Sequence, residues 1–350
     1  MSITIGIIGR IATESDLCDG QTVKTQVLVN ELKHKYPDSN LIFADTYNYK
    51  KHIHTLFFNI EKCLRKSDVI FILLSRNGRR FIFPIVNVFN LFYRKPILHD
   101  VIGGAFEKDL LNNRPLQRYC KHFEINWIES KKAVERLQAA GFQNVAYLTN
   151  FKRLPHITIP EHYSKLDTVY KFCTFSRVTK EKGISSAAQA VIDINRNAGC
   201  RKAILDIYGP IENGYEDELK SYIDSSDGAV NYKGTVDYNE SVLTLKNYDM
   251  LLFPTYFNGE GFPGTLIDAF SAGLPVIATD WHYNSEIITD HITGFLYAVN
   301  EPQRLKDLME YSICNPDLIN EMRRNCLIEV EKYSADIVME IIANKIAEVS

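Results

Sequence analysis

The sequence has few cysteines, and their arrangement suits neither a metal site nor a disulfide framework. Its seven cysteines are scattered and form no Cys-x-x-Cys pair. The first residues, MSITIGIIG, lead directly into an apolar strand pattern and do not resemble a secretory signal peptide. We therefore expect reduced thiols and a cytoplasmic protein.

Long apolar runs and a strong charge of either sign are also missing. No uninterrupted apolar segment reaches the ~18 residues that a membrane-spanning helix needs. The formal net charge is −3 and no RNA- or DNA-binding motif is present, so nucleic acid is not an expected partner. The first strand pattern, IGIIGRIA, lacks the Gly-x-Gly-x-x-Gly spacing of a dinucleotide site.

Apolar strand patterns alternate with helical patterns along most of the chain. With 350 residues, 45% hydrophobic and 24% charged, the chain is long enough for two globular domains. The alternation predicts βαβ units and parallel sheets, which bind ligands beyond the carboxyl ends of their strands. Residues 151–169 lack periodicity and are interpreted as an interdomain linker. The predicted strands are 3–9, 40–45, 68–74, 96–103, 121–130 and 144–151, followed by YKFCTFSRV, KAILDIYGP, AVNYKGTV, MLLFPTYF and PVIATD; helices are expected over 301–349.

The most informative segment is NGEGFPGTLIDAFSAGLPVIATDWHYNSE, at 258–286. It places Glu260 in a glycine-rich loop and Asp268 eight residues later, inside the helix that the loop opens, with Pro263 at the expected first helical turn. Glycines let the backbone approach a ligand, and a helix N-terminus offers N–H groups to a phosphate. Two carboxylates beside such a helix end favour a ligand with both sugar hydroxyls and phosphates, namely a nucleotide-sugar. The alternative is an ordinary strand–loop–helix unit with a capping or solvated acid.

A second candidate site is FSRVTKEKGI, at 175–184. Arg177 and Lys182 lie on a short loop whose Gly183 permits a tight turn. Fixed cations stabilise the charge that develops on a departing diphosphate. The alternative is a solvated basic loop, which is the interpretation we prefer for Lys180.

Three further positions are weaker candidates when taken alone. His99 ends an apolar run, where ligands of parallel sheets gather, although a lone histidine at a strand end is more often structural; Asp100 is either its partner or a cap. Gly20 precedes a helix expected to open near Thr22, and helix N-termini attract anions. Gly234 closes a strand and allows close approach of a planar ligand, or forms a simple turn.

Together these segments resemble the signature of the family 4 retaining glycosyltransferases, within the glycosyl transferases group 1. The resemblance is specific over roughly 170–300 and only architectural over 1–150. The family pattern is Glu-x7-Glu; Glu260 matches its first member, and Asp268 stands where the second Glu is usual. The family also has an arginine and lysine pair around the diphosphate, matched by Arg177 and Lys182.

The resemblance implies a GT-B fold, in which two Rossmann-like domains have parallel sheets that face a central cleft. It implies an acceptor-binding domain at 1–155, a nucleotide-sugar-binding domain at 156–333, and a C-terminal helix at 334–350 that crosses back to the first domain. The implied catalytic residues are Glu260, His99, Arg177 and Lys182. The implied donor-binding residues are Arg177, Lys182, Gly234, Thr235, Val236, Gly261, Phe262, Pro263, Gly264, Thr265, Asp268 and Gly20.

The resemblance further implies transfer of a hexose from a nucleotide-sugar, with UDP favoured, to a hydroxyl of a glycan or lipid-linked saccharide, with anomeric configuration retained. Capsule, exopolysaccharide or lipopolysaccharide assembly is the expected setting. The sequence has no Asp-x-Asp, a motif common in glycosyltransferases that use a metal, so we expect no metal or other cofactor. A non-catalytic subunit that supports a partner glycosyltransferase, and a sugar-nucleotide epimerase or phosphorylase on the same fold, remain alternatives.

Residues 76–95, RNGRRFIFPIVNVFNLFYRK, have basic ends and an apolar middle. This composition suits either a buried helix of the first domain or the interface of an anionic membrane. A peripheral contact with the inner membrane face is therefore a second expectation for the location of the protein.

Overall fold

The computed structural model describes residues 3–12, 20–48, 53–155 and 169–350. The chain divides into two compact units, one formed by Met1–Arg153 with Tyr333–Ser350 and the other by Leu154–Lys332. Each unit has a six-stranded sheet in which every pair of neighbouring strands is parallel. The predicted α/β class with two parallel-sheet domains is therefore confirmed. Most of the predicted linker, residues 156–168, lies outside the described residues.

The first unit alternates strands and helices almost without interruption. In chain order its elements are β1 (Thr4–Gly9), α1 (Gly20–Lys35), β2 (Asn40–Asp45), α2 (Ile53–Lys66), β3 (Val69–Leu73), α3 (Arg76–Tyr93), β4 (Ile97–Asp100), α4 (Phe106–Asn112), α5 (Arg114–Lys121), β5 (Ile125–Ile128), α6 (Lys131–Ala139) and β6 (Val145–Tyr147).

The sheet of the first unit has the order β2-β1-β3-β4-β5-β6. Every residue of β3 is fully buried, which explains why its sequence is a continuous apolar run and does not alternate. The predicted strands at 96–103 and 121–130 are shorter in the structure. The first ends at Asp100, and α5 occupies the chain up to Lys121.

The second unit repeats the alternation with two short 3₁₀ helices in its loops. Its elements are β7 (Tyr170–Phe175), a 3₁₀ helix (Lys180–Lys182), α7 (Ile184–Ala198), β8 (Ala203–Tyr208), α8 (Glu216–Ser225), β9 (Val230–Gly234), a 3₁₀ helix (Tyr238–Glu240), α9 (Ser241–Leu245), β10 (Met250–Phe253), α10 (Gly264–Ser271), β11 (Val276–Thr279), α11 (Asn284–Ile287), β12 (Gly294–Tyr297), α12 (Pro302–Cys314) and α13 (Pro316–Glu329).

The sheet of the second unit has the order β12-β11-β10-β7-β8-β9. The chain winds from β7 toward β9 on one side and from β10 toward β12 on the other. Neighbours β7 and β10 therefore mark the point where the winding reverses, which is where doubly wound sheets bind ligands.

After a 3₁₀ helix (Val330–Tyr333), the chain ends in α14 (Ala335–Val349), which packs on the first unit. Its buried residues Val338, Met339, Ile342 and Ile346 join the core cluster that contains Leu28 of α1. Where the chain leaves and re-enters this unit, the backbone N–H groups of Lys152 and Ala335 donate to the carbonyls of Tyr333 and Lys152, at 3.3 and 3.0 Å.

Candidate functional site

The reversal point of the second sheet brings two loops together at one edge. The loop after β7 carries Arg177 and Lys182, and the loop after β10 carries Glu260. Because β7 and β10 are adjacent parallel strands, their carboxyl ends meet, and residues 78 positions apart in sequence come into contact. The topology thus brings together Arg177, Lys182 and Glu260, the three charged residues that the sequence most clearly indicates as ligand-binding.

Gly183 fixes the path of the first loop. It follows the 3₁₀ helix Lys180–Lys182 and has a φ of 72°. A Cβ atom at this position would lie 2.2 Å from the carbonyl oxygen of Pro254. Only glycine fits such a close approach at positive φ, and this contact holds Lys182 against the loop after β10.

Lys182 and Glu260 form a buried ion pair. The Lys182 Nζ lies 2.5 Å from Glu260 Oε2, with side-chain exposures of 8% and 10%. The hydroxyl of Thr255 donates to the same oxygen at 2.9 Å. The sequence indicates separate roles for these two residues and does not reveal that they pair. A buried charge needs an opposite charge to offset its lost hydration, and each of these residues is the nearest such partner for the other.

Aromatic rings complete the surroundings of these charges. The Arg177 guanidinium carbon lies 5.0 Å from the ring centre of Phe257, and the Lys182 Nζ lies 5.3 Å from the same centre. Arg177 is exposed and has no ion pair within the described part of the chain. It therefore presents a cation with several N–H donors, stacked on a ring and available to an anion.

The loop after β10 is held by backbone and side-chain hydrogen bonds. The N–H of Tyr256 donates to the carbonyl of Glu181 at 2.8 Å, and the indole of Trp281 donates to the carbonyl of Phe257 at 2.9 Å. The hydroxyl of Thr279 donates to the carbonyl of Thr255 at 2.5 Å. Thr255, Phe257 and Trp281 were not identified from the sequence, because their roles depend on contacts between separate segments.

The donor-binding residues predicted after Glu260 lead into α10. Gly261 is half-buried and Phe262 buried, while Gly264 and Thr265 open the helix. Pro263 was expected in the first helical turn but is the N-cap residue, with φ −74° and ψ 112°. The Thr265 hydroxyl oxygen is buried and has no hydrogen-bond partner in the described structure. Asp268 lies one turn further and is 6% exposed.

Gly234 lies at the same edge of the sheet, at the end of β9, with Thr235 and Val236 following it. Between it and β7 lies Gly209, which the sequence analysis did not single out. The Gly209 N–H donates to the Gly234 carbonyl at 2.9 Å, and a Cβ on Gly209 would lie 1.8 Å from the carbonyl oxygen of Ser176. The Gly-Pro that ends KAILDIYGP was the available signal for this tight contact.

The structure places His99 in the core of the first unit. Its ring is fully buried in the first unit, and its Nδ1 lies 2.8 Å from Asn126 Oδ1. The rings of Phe83, Phe106 and Phe123 enclose it, with centres 5.0, 5.3 and 5.8 Å away. Burial lowers the pKa of His99 to about 3, so the ring is neutral. Its Nε2 is buried and has no hydrogen-bond partner in the described structure. The sugar contact predicted for His99 stays a prediction.

Asp100 pairs with a lysine and not with the neighbouring His99. Its carboxylate oxygen Oδ1 lies 2.7 Å from the Nζ of Lys24, which also lies 2.7 Å from Glu129 Oε1. Burial raises the pKa of Asp100 to about 6. Lys24 comes from α1, which begins at the exposed Gly20. The predicted ligand contact of Gly20 stays a prediction, because residues 13–19 lie outside the described part of the chain.

Across residues 3–12, 20–48, 53–155 and 169–350, the structure contains no group of three or more His, Cys, Asp or Glu side chains arranged to hold a metal ion. The expectation of a metal-free reaction stays a prediction.

Comparison with known protein families gives a match that lies within the second unit. Residues 157–327 match the model of the glycosyl transferases group 1. This segment contains both loops at the reversal point and therefore Arg177, Lys182, Glu260 and Asp268.

Individual relatives are similar over only part of their length. The uncharacterized glycosyltransferase MJ1069 of Methanocaldococcus jannaschii is 24% identical over 235 residues, which is 61% of this chain and 58% of that protein. The amylovoran biosynthesis glycosyltransferase AmsK of Erwinia amylovora is 27% identical over 145 residues, or 40% of this chain and 35% of that protein. The chain thus covers less than two thirds of the length of both relatives.

A solved structure shows the same fold over almost the whole chain. Anabaena Alr3699/HepE, crystallised with UDP, superimposes with a TM-score of 0.75 at 15% identity, covering 99% of this chain and 100% of that one. The predicted GT-B fold class is thereby confirmed.

Breaking the Lys182–Glu260 pair is predicted to destabilise the second unit. Lys182→Met leaves a buried carboxylate without its cation and should lower the free energy of unfolding by about 3 kcal/mol, whereas removing both charges in Lys182→Met/Glu260→Gln should cost less. Urea unfolding in a Trp127→Phe background, with Trp281 as the fluorescence reporter, measures both. Lys180→Met on the same loop is the control and should change little. If the losses of unfolding free energy in Lys182→Met and Glu260→Gln simply added up to the loss in the double variant, the two side chains would not interact and the pair would be refuted.

The buried His99 is predicted to make the first unit sensitive to acid. Its pKa falls from 6.5 in the unfolded chain to about 3 in the fold. Below a pH of about 6.5 the imidazole therefore binds a proton in the unfolded chain but not in the folded chain. The free energy of unfolding consequently decreases as the pH falls. Asp100 acts in the opposite direction, because its pKa rises from 3.8 to about 6 and its protonation favours the fold.

The comparison of wild type with His99→Gln isolates the histidine contribution, since Asp100 is common to both. From about pH 7 to about pH 5, wild type should lose roughly 1–2 kcal/mol more stability than the variant. Urea unfolding in a Trp281→Phe background, reported by Trp127, measures this difference. Parallel pH profiles would show that His99 is not held neutral.

Proposed function

We propose that the chain is a glycosyltransferase that moves a hexose from a nucleotide-sugar to an acceptor hydroxyl with retention of anomeric configuration, as in family 4. One observation carries the proposal: at the reversal point of the sheet, an exposed, ring-stacked Arg177 lies on the same loop as Lys182, which forms an ion pair with Glu260 on the loop after β10. This edge belongs to the segment that matches the glycosyl transferases group 1.

A nucleoside diphosphate accounts for the charge at this edge. Arg177 offers N–H donors in a geometry that matches phosphate oxygens, and the Lys182 ammonium adds a point charge. The N-terminus of α10, with Gly264 and Thr265 in its first turn, presents N–H groups that favour an anion. UDP is the proposed nucleotide, supported by the complex with UDP that the similar Alr3699/HepE protein forms.

The proposed reaction breaks the bond between the anomeric carbon of the donor and its diphosphate oxygen and forms a bond from that carbon to the acceptor oxygen. The departing phosphate oxygen takes the acceptor proton, and the acceptor attacks from the same face. The transition state is oxocarbenium-like. Arg177 and Lys182 stabilise the developing negative charge of the diphosphate, so no metal or other cofactor is required in this scheme.

Two carboxylates position the donor in this scheme. Glu260 orients the sugar, and its ion pair with Lys182 holds its carboxylate in place. Asp268 accepts hydrogen bonds from the ribose hydroxyls. Gly234, Thr235 and Val236 lie beside the nucleobase, and Gly261, Phe262 and Pro263 line the path between sugar and diphosphate.

The proposed acceptor is a glycan or lipid-linked saccharide in capsule, exopolysaccharide or lipopolysaccharide assembly, a class supported by the name of the similar AmsK protein. No helix in the described part of the chain is long and apolar enough to cross a membrane. We propose a cytoplasmic protein with a peripheral contact at the inner membrane face, where a lipid-linked acceptor presents its saccharide.

Donor binding tests the proposal without knowledge of the acceptor. In calorimetric titrations with EDTA present, UDP and its sugar conjugates should bind to the wild-type protein. Arg177→Ala should weaken that binding by about tenfold or more, because a charge-assisted hydrogen bond contributes ~1.5–3 kcal/mol. Lys180→Ala, an exposed cation on the same loop, is the matched control and should bind as wild type does.

Each contrary result identifies a different error. Binding that appears only when a divalent cation is added would refute the metal-free scheme. Equal losses in the two variants would refute the assignment of Arg177. Absence of binding for UDP, GDP and their sugar conjugates would favour a non-catalytic subunit.

A further inference from the structure

We propose that the first unit carries a second binding site, separate from the donor site, that takes the headgroup of an anionic phospholipid in a membrane surface. The site is a cavity of about 730 Å³. Its walls come from the C-terminal half of α3, the chain before β4, α5 and the end of α14. We refer to it as the basic cavity; its cations are Arg94, Lys95 and Arg118.

The charges of the basic cavity are unbalanced in favour of an anion. Three cations, Arg94, Lys95 and Arg118, line the cavity together with two acids, Glu124 and Glu348. The two acids in the cavity wall, Glu124 and Glu348, both bind Lys345, at 2.7 and 3.1 Å. Arg94, Lys95 and Arg118, by contrast, have no ion pair among the residues that the structure describes.

One side of the basic cavity continues into an exposed apolar face of α3. Val88 and Leu91 line the cavity, and Phe81 and Phe92 lie on the same helical face at spacings of seven and four residues from Val88. Leu91 and Phe92 are 68% and 78% exposed. The neighbouring helix α2 extends this face with exposed Phe57 and Phe58. Phe57 packs against Phe89 of α3 with ring centres 4.8 Å apart.

Helix α3, which covers most of residues 76–95, is buried on one face and exposed on the other. The opposite face of α3, with Ile82, Phe83 and Val86, is buried in the unit, so the helix is anchored by one side only. Clustered phenylalanine and leucine side chains in water are costly, at ~25 cal/mol per Å² of apolar surface. A bilayer interface takes the apolar face, while its phosphates lie at the level of the flanking cations. A soluble phosphate compound would account for the cations but not for the apolar face.

This inference rests on the peripheral membrane contact in the proposed function and names the surface that makes it. Its test is independent of sugar transfer. Vesicle binding requires neither donor nor acceptor. If the protein binds UDP but not vesicles, the proposed lipid site is refuted and the proposed transferase function is not. If it binds vesicles but no nucleotide, the proposed transferase function is refuted and the lipid site is not.

The test is co-sedimentation of the full chain with vesicles of phosphatidylcholine alone and of phosphatidylcholine with about 30 mol % phosphatidylglycerol. Binding should require the anionic lipid and should fall at high salt, because salt screens exposed charges. Arg94→Glu/Arg118→Glu should reduce partitioning by at least about tenfold, since each basic residue near the surface contributes ~1 kcal/mol. Leu91→Ser/Phe92→Ser should also reduce partitioning to the anionic vesicles, because it removes two exposed apolar side chains.

Matched controls lie on the second unit. Lys220→Glu/Arg304→Glu makes the same change of charge at exposed positions, and Leu243→Ser/Ile328→Ser removes side chains that are 60% and 73% exposed. Both controls should bind vesicles as wild type does.

Three outcomes would overturn the proposal. They are equal losses in the test and control variants, equal binding to neutral and anionic vesicles, and displacement from vesicles by millimolar soluble glycerol phosphate. The last would identify a small-anion pocket. Thermal unfolding monitored by circular dichroism verifies that every variant is folded.

Discussion

The buried ion pair between Lys182 and Glu260 is the interaction on which the candidate donor site depends. Two charges at 8% and 10% exposure are stable only because each offsets the other's lost hydration, and Thr255 adds a hydrogen bond to the same oxygen. The surrounding loops must therefore be held in place. The close packing of Gly183 against Pro254 achieves this from one side, and the Trp281 hydrogen bond to Phe257 from the other. A charged, rigid edge results, with Arg177 as its unpaired member.

Both units have a six-stranded parallel sheet, but they differ in how the charged side chains at the carboxyl ends of the strands are paired. In the first unit, Lys24 forms ion pairs with both Asp100 and Glu129 at the carboxyl ends of the strands, and His99 is neutral within an aromatic enclosure. In the second unit, a cation beyond the buried pair stays available. This difference, together with the match to the glycosyl transferases group 1 over 157–327, supports placing the donor on the second unit. The unpaired cations of the first unit lie elsewhere, around the basic cavity.

Much of this organisation could be predicted from the sequence, for physical reasons. Strands such as VIFIL are continuous apolar runs because parallel strands are buried on both faces, so the fold class followed from their alternation with helices. Lys182 and Glu260 were identified as charged residues beside glycines after such strands, and Arg177 as a cation on the same loop as Lys182 that suits a diphosphate. The partner of Lys182 was not predictable, because the pair joins segments 78 residues apart. The enclosure of His99 was not predictable for a related reason: the three phenylalanines around it come from separate segments.

The measurement that tests the central claim most directly is a crystal structure of the protein with UDP bound. The account predicts diphosphate oxygens within hydrogen-bond distance of the Arg177 guanidinium and the Lys182 ammonium, with the ribose hydroxyls at Asp268. A nucleotide that is ordered elsewhere, or whose phosphates touch neither Arg177 nor Lys182, would contradict it.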